Sequence, residues 1–287
     1  MHDSITAALI QRGVSAERAR RLASLAAPAV HLESSAERDA TLPRAASKLG
    51  GAPDLADPET WPIWNGTPLA FVAQINLHDL RPFPFCSVLP DRGLLSFFFD
   101  AEQQAWGFDP AHRGGAAVLL QSHVDRLTRT PVPASVPAGG IFGARRLTPR
   151  ETITTLPALE SQSVTAMGLS TAEERVYQQI LDETEEQKPT RVEHQLLGHP
   201  GQVQGDMQLE CQLVTNGLYC GDETGYNDAR AAALGSGAAS WQLLTQFDTD
   251  DDAQMMWGDC GRIYFWMTST AMSRSAFHES WAILQCF

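Results

Sequence analysis

The sequence has no C-x-x-C pair, no run of roughly 18 consecutive apolar residues, and no basic stretch leading into a long apolar core. These absences argue against a paired-cysteine metal knuckle, a membrane-spanning helix and an export signal. The opening Met1-His2-Asp3-Ser4, with Glu17, Arg18, Arg20 and Arg21 interrupting the first apolar periodicity, reads as native helix. Cys86, Cys211, Cys220, Cys260 and Cys286 are odd in number and widely spread, which predicts reduced, mostly buried thiols and a cytoplasmic location. Basic residues are scarce: 21 Lys and Arg stand against 34 Asp and Glu, a formal charge of -13. Such a surface repels phosphate backbones and anionic lipid, so neither nucleic acid nor membrane is an expected direct partner, while a basic protein or a cation is favoured. No G-x-S-x-G nucleophile motif occurs. Gly139-Gly140 and Gly235-Ser236-Gly237 lack both the lysine of a phosphate loop and dinucleotide spacing, so no nucleotide cofactor is expected.

What is present is material for a core. Apolar residues make up 43% and charged residues 19% of 287 positions, enough for one large fold or two tightly joined halves. Apolar spacing over 4–27, divided by Gly13, predicts two short helices. A capping box at Ser170-Thr171-Ala172-Glu173 predicts a helix over 171–187, and Ser273 predicts a short one over 273–280. Strand-like runs fall at 30–33, 69–75, 93–99, 116–121, 241–247, 261–267 and 282–287, separated by Gly, Pro and Asp turns. The prolines and glycines of 130–145 favour an extended connector. The pattern predicts an α+β fold, mainly β, with antiparallel sheets and peripheral helices.

A weak internal echo accompanies this pattern. Leu49-Gly50-Gly51-Ala52-Pro53 returns as Leu197-Gly198-His199-Pro200, Gln74-Ile75-Asn76 as Gln246-Phe247-Asp248, and Gly93-Leu94-Leu95-Ser96 as Gly261-Arg262-Ile263-Tyr264. Two related β-rich halves over about 45–125 and 190–287 are therefore expected.

Several spaced motifs resemble those of the YwqG family of bacterial proteins. They are Lys48-Leu49-Gly50-Gly51-Ala52-Pro53, the run Pro68 to Leu77, the run Leu89 to Phe98, Leu196-Leu197-Gly198-His199-Pro200 with Gln204-Gly205-Asp206, and Met255 to Gly261. Tyr264-Phe265-Trp266 and Gln285-Cys286-Phe287 complete the resemblance, which covers roughly 45–287 and leaves 1–44 as a helical extension. It implies a β-rich fold with peripheral helices; it carries no activity and no catalytic residue set.

Two constellations stand out as candidate sites. Asp248, Asp250, Asp252 and Asp259 fall at positions one, three, five and twelve of a calcium-loop count, but Ala253 replaces the turning glycine, and a solvated turn explains the same residues. His199 and Asp206 share a polar, glycine-flanked loop and are candidate acid–base groups, against the simpler reading of a loop that satisfies backbone donors. The function expected from these features is a non-enzymatic binding protein, an immunity-like or accessory factor for a basic protein partner. The alternative is a metal-ion-binding protein or metal-assisted enzyme that uses the acidic loop and a divalent cation.

Overall fold

The computed structural model describes residues 2–189 and 192–287. Helices α1 (His2–Gln11) and α2 (Ala16–Ala23) form as the apolar spacing predicts. Gly13, at φ +94°, makes the turn between them, and the Ser15 hydroxyl accepts the Arg18 N–H to start the second. Ile5, Leu9 and Leu22 are buried in one cluster with Val164 of α3 (Gln162–Thr165) and with Tyr177 and Ile180 of α4 (Thr171–Glu186). The capping box of α4 is realised on both sides: Ser170 Oγ accepts the Glu173 N–H, and Glu173 Oε2 accepts the Ser170 N–H at 2.9 Å.

The body of the molecule is one antiparallel sheet of ten strands, curled until nearly closed. In chain order they are β1 (Ala27–Ala36), β2 (Lys48–Leu49), β3 (Ala70–Asn76), β4 (Leu94–Phe99), β5 (Ala116–Gln121), β6 (Arg145–Thr155), β7 (Gln195–Leu196), β8 (Trp241–Asp248), β9 (Arg262–Thr268) and β10 (Trp281–Gln285). Their spatial order is β10-β9-β8-β7-β1-β6-β2-β3-β4-β5. The long strands β1 and β6 pair at the centre, and each leads in sequence to four strands that continue on the far side of the other. Strand β1, within the expected 1–44 extension, thus sits in the middle of the sheet.

Hydrogen-bonded partners give the correspondence between the two sides. Lys48 matches Gln195, Leu49 matches Leu196, Gln74 matches Gln246, and Ser96 matches Tyr264. The ladder slips at the same place in both, between Phe71 and Ala73 and between Leu243 and Thr245. Gln74 Oε1 accepts the Asp54 N–H at 2.9 Å while its amide donates to the Ala46 carbonyl at 2.8 Å. Gln246 repeats this with the Gly201 N–H at 2.9 Å and the Glu193 carbonyl at 3.0 Å. The Asn76 and Asp248 N–H groups are taken by Ser47 Oγ and His194 Nδ1 respectively. Both buried glutamines therefore tie a following loop to its strand, which is why the Gln-x-Asn/Asp echo is visible in sequence.

Phe97 packs edge-on against Phe247 and Phe265, so the inner faces of the two sides meet in a shared core. The outer face of the second side is covered by α5 (Gln208–Thr215), with α6 (Glu223–Tyr226) and α7 (Ala231–Leu234) beside it. The predicted helix over 273–280 is corrected. Helix α8 (Ser269–Ser273) is capped by Thr268, and Ser273 is its last residue, its hydroxyl turned back to the Thr270 carbonyl. Ser275 then turns left-handed at φ 56°, and a single 3₁₀ turn follows at Phe277–Glu279. Among the described residues no helix is long and apolar enough to cross a membrane.

Candidate ligand-binding cleft

Both acid–base candidates, His199 and Asp206, line a cleft of about 770 Å³ on the outer face of the second side. Trp241 and Leu243 of β8 and Trp266 of β9 form one wall, and Phe85 and Val88 from the first side contribute to the rim. Val88 is 49% exposed, so apolar surface continues out of the mouth.

The local chain explains the shape. After β2 and β7 the backbone turns through two consecutive left-handed residues, Gly50 (φ 49°) and Gly51 (φ 68°) on the first side, Leu197 (φ 60°) and Gly198 (φ 73°) on the second. Gly50 is obligatory: a Cβ there would lie 2.4 Å from the Gly143 carbonyl oxygen, because the connector before β6 crosses over it. At the equivalent point of the second side a leucine stands in the same strained conformation, and Leu197 lines the cleft.

Twelve positions after Leu49 comes Trp61, and twelve after Leu196 comes Gln208. Their side chains do the same thing. Trp61 Nε1 donates to the Leu69 carbonyl at 3.0 Å, and Gln208 Nε2 donates to the Trp241 carbonyl at 2.6 Å; Leu69 immediately precedes β3 and, counted back from the matched Gln74 and Gln246, falls at the same place as Trp241, the first residue of β8. On the first side the indole also lies edge-on to Phe98, with ring centroids 5.4 Å apart, and is buried. The residue matched to Phe98 is Trp266, which lines the cleft together with Gln208. The Trp266 indole N–H is buried and has no hydrogen-bond partner among the described residues, whereas the Trp61 N–H is satisfied.

Among the described residues the titratable groups of the cleft are His199 and Asp206. His199 Nε2–H donates to the Leu25 carbonyl at 2.7 Å, and burial lowers its pKa more than that contact raises it, so the ring is neutral at pH 7 with Nδ1 as an acceptor. Burial raises the Asp206 carboxyl, and Glu160 pushes it the same way, opposed by N–H groups of Gln208, Leu209 and Met207 at the start of α5. His199 and Asp206 share no hydrogen bond, and among the described residues no hydroxyl or thiol bonds to the His199 ring. The sequence singled out the loop that carries both residues. It gave no weight to Gln208, although the internal echo carried forward from Leu49 to Trp61 exposes the exchange.

The acidic turn lies elsewhere, and the carboxylates of Asp248, Asp250 and Asp252 have partners. Asp248 pairs with Arg262 Nε at 3.0 Å and accepts the Glu193 N–H. Asp250 accepts from Ser34 Oγ at 2.6 Å, with His194 Nε2 at 3.4 Å and Arg145 Nε at 3.7 Å. Burial alone would raise the Asp250 carboxyl; hydrogen bonds from His194 and Ser34 outweigh it and hold the group well below the usual carboxylate range. Asp252 is exposed and 3.1 Å from Arg145 Nη2. Asp259 is exposed, and its backbone carbonyl accepts the Phe287 N–H. Among the described residues no three His, Cys, Asp or Glu side chains converge to hold a metal ion.

No curated protein matches the chain. A family model does: the one described as a domain of unknown function, DUF1963, matches residues 47–286, from β2 of the first side through β10 of the second. That span takes in both matched turns, Trp61, Gln208 and most of the lining of the cleft, and the chain belongs to the DUF1963 family.

Proposed function

We propose that this protein is a non-enzymatic binding protein whose ligand seats in the cleft of the second side. One observation carries the reading: the same backbone frame is closed by a buried indole at Trp61 and left open at its counterpart Gln208. Packing alone is served by the closed version, so the open one is retained for an occupant. The volume suits a small molecule, and a binding role rather than catalysis follows from a neutral His199 that faces no nucleophile. The finer resemblance to YwqG proteins of bacteria belongs to this proposal, as does a cytoplasmic location, which five unpaired cysteines support.

The test is titration with the uncharged fluorophore Nile red. Wild-type protein is expected to bind it, and Gln208→Trp, which rebuilds the plug of the first side, to weaken binding at least about tenfold, the ratio that loss of one well-packed contact of roughly 1.4 kcal/mol produces. Equal uptake by wild type and variant would remove the cleft as the binding site.

A further inference from the structure

Resting on the cleft as a binding site, we infer that its ligand is a small planar aromatic amine. The ring is argued from the protein's own precedent. On the first side the outer face is completed by an indole edge-on to Phe98, and on the second the corresponding ring, Trp266, stands with Trp241 in the wall of a cavity. A flat ring entering beside Gln208 takes the place that Trp61 takes against Phe98 on the first side, with Leu243, Trp241 and Trp266 in the lining.

The charge is argued from the lining. Among the described residues no Lys or Arg lines the cleft, and Asp206 is its one carboxylate. His199 offers the unprotonated Nδ1 of a neutral ring, again an acceptor. An anionic ligand would be buried beside a carboxylate with no Lys or Arg among the described lining residues, which is strongly unfavourable. A protonated amine is matched: it donates to Asp206 and is drawn by a surface of charge -13. A cleft of about 770 Å³ fits one small molecule, which favours a free ligand over the face of a folded partner.

Calorimetric titration with four probes tests this: tryptamine, neutral indole, indole-3-acetate and hexylamine. Tryptamine is expected to bind about tenfold more tightly than indole or hexylamine, and indole-3-acetate not to bind. Asp206→Asn keeps a side-chain oxygen for the N–H groups of α5 and should erase the advantage of tryptamine over indole while leaving indole binding unchanged. Gln208→Trp should abolish binding of all the probes. Indole-3-acetate binding as well as tryptamine would overturn the amine, and hexylamine matching tryptamine would overturn the ring. A tryptophan-containing peptide binding where free tryptamine does not would overturn the small molecule. If Gln208→Trp blocks Nile red yet none of the probes displaces the dye, the ligand class is wrong and the cleft stands. If the variant fails to block Nile red, the cleft itself is wrong.

Discussion

The two sides of the sheet hold the same loops with different chemistry. On the first side, Lys48 is wholly buried, donates to Asp39 at 2.6 Å and to the Ala52 carbonyl, and lies over the Phe71 ring. Arg129 completes the cluster with Asp54 and Asp39, each at 2.7 Å. At the position of Lys48 the second side has Gln195, which donates to the His199 carbonyl, the counterpart of Ala52, at 2.8 Å. Where the first side holds an ionic knot, the second holds a neutral amide. The difference teaches which contacts the frame demands and which are free to change. The glutamines at 74 and 246, the strand slips and the left-handed turns are kept on both sides, whereas the indole at 61 and the buried lysine at 48 are found on one.

The comparison breaks most severely at Trp61. Trp61→Gln preserves a donor for the Leu69 carbonyl but removes the ring buried against Phe98, and should cost on the order of 3 kcal/mol, measured by urea denaturation. The reciprocal Gln208→Trp adds a ring where space exists and should leave stability nearly unchanged. If the two substitutions cost the same, the sides do not differ in closure.

How much of this was legible follows from particular residues. Strands β3, β4, β8 and β9 are apolar on both faces, and each ends at a turn residue, so their residues declare them. The longest strand was missed. In β6, Arg145, Arg146, Pro149, Arg150 and Glu151 read as a loop, and strand identity comes from the neighbours. Pro149 is tolerated because the β2 ladder pairs only Arg145 and Arg146, and because the β1 ladder shifts register just beyond Pro149. The loop with His199 and Asp206 was legible because glycine flanks its polar groups. The cleft was not, since it exists only where the α2–β1 junction, the 157–166 segment and the start of α5 converge on β8 and β9.

Helix α5 has no counterpart on the first side, and it carries a carboxyl that sharpens the contrast. Burial, helped by the charge of Asp206, pushes Glu210 up from 4.5 to about 7, among Cys211, Cys220 and Tyr226, whose own pKa values it helps to raise. The folded state therefore holds this proton more tightly than the unfolded chain does. Stability from this group is complete at low pH and declines as pH rises from about 4.5 through about 7. Glu210→Gln should remove that decline, making the variant more stable than wild type at pH 8 by about 1–3 kcal/mol and no more stable at pH 5. Parallel denaturation curves at the two pH values check it. The same difference at both would place the effect in packing rather than in the proton.

The smallest effect is expected at the acidic turn, where the two sides also differ. Asn76 faces Leu94 across the strands of the first side, and the matched pair on the second is Asp248 facing Arg262. The position of Arg145, which pairs with Asp250 and Asp252, is held on the first side by Val30. Acid and base were therefore exchanged into the second side together, and each guanidinium supplies the counter-charge that a cation would otherwise bring. Added calcium, magnesium, manganese or zinc must compete with arginines already in place, so millimolar cation should leave the Tm of metal-stripped protein unmoved beyond the scatter of the measurement. Asp252→Asn, at a largely exposed carboxylate, should behave as wild type with and without cation. A rise in Tm with one of these cations that Asp252→Asn abolishes would make the turn a metal site and the arginines its displaceable occupants.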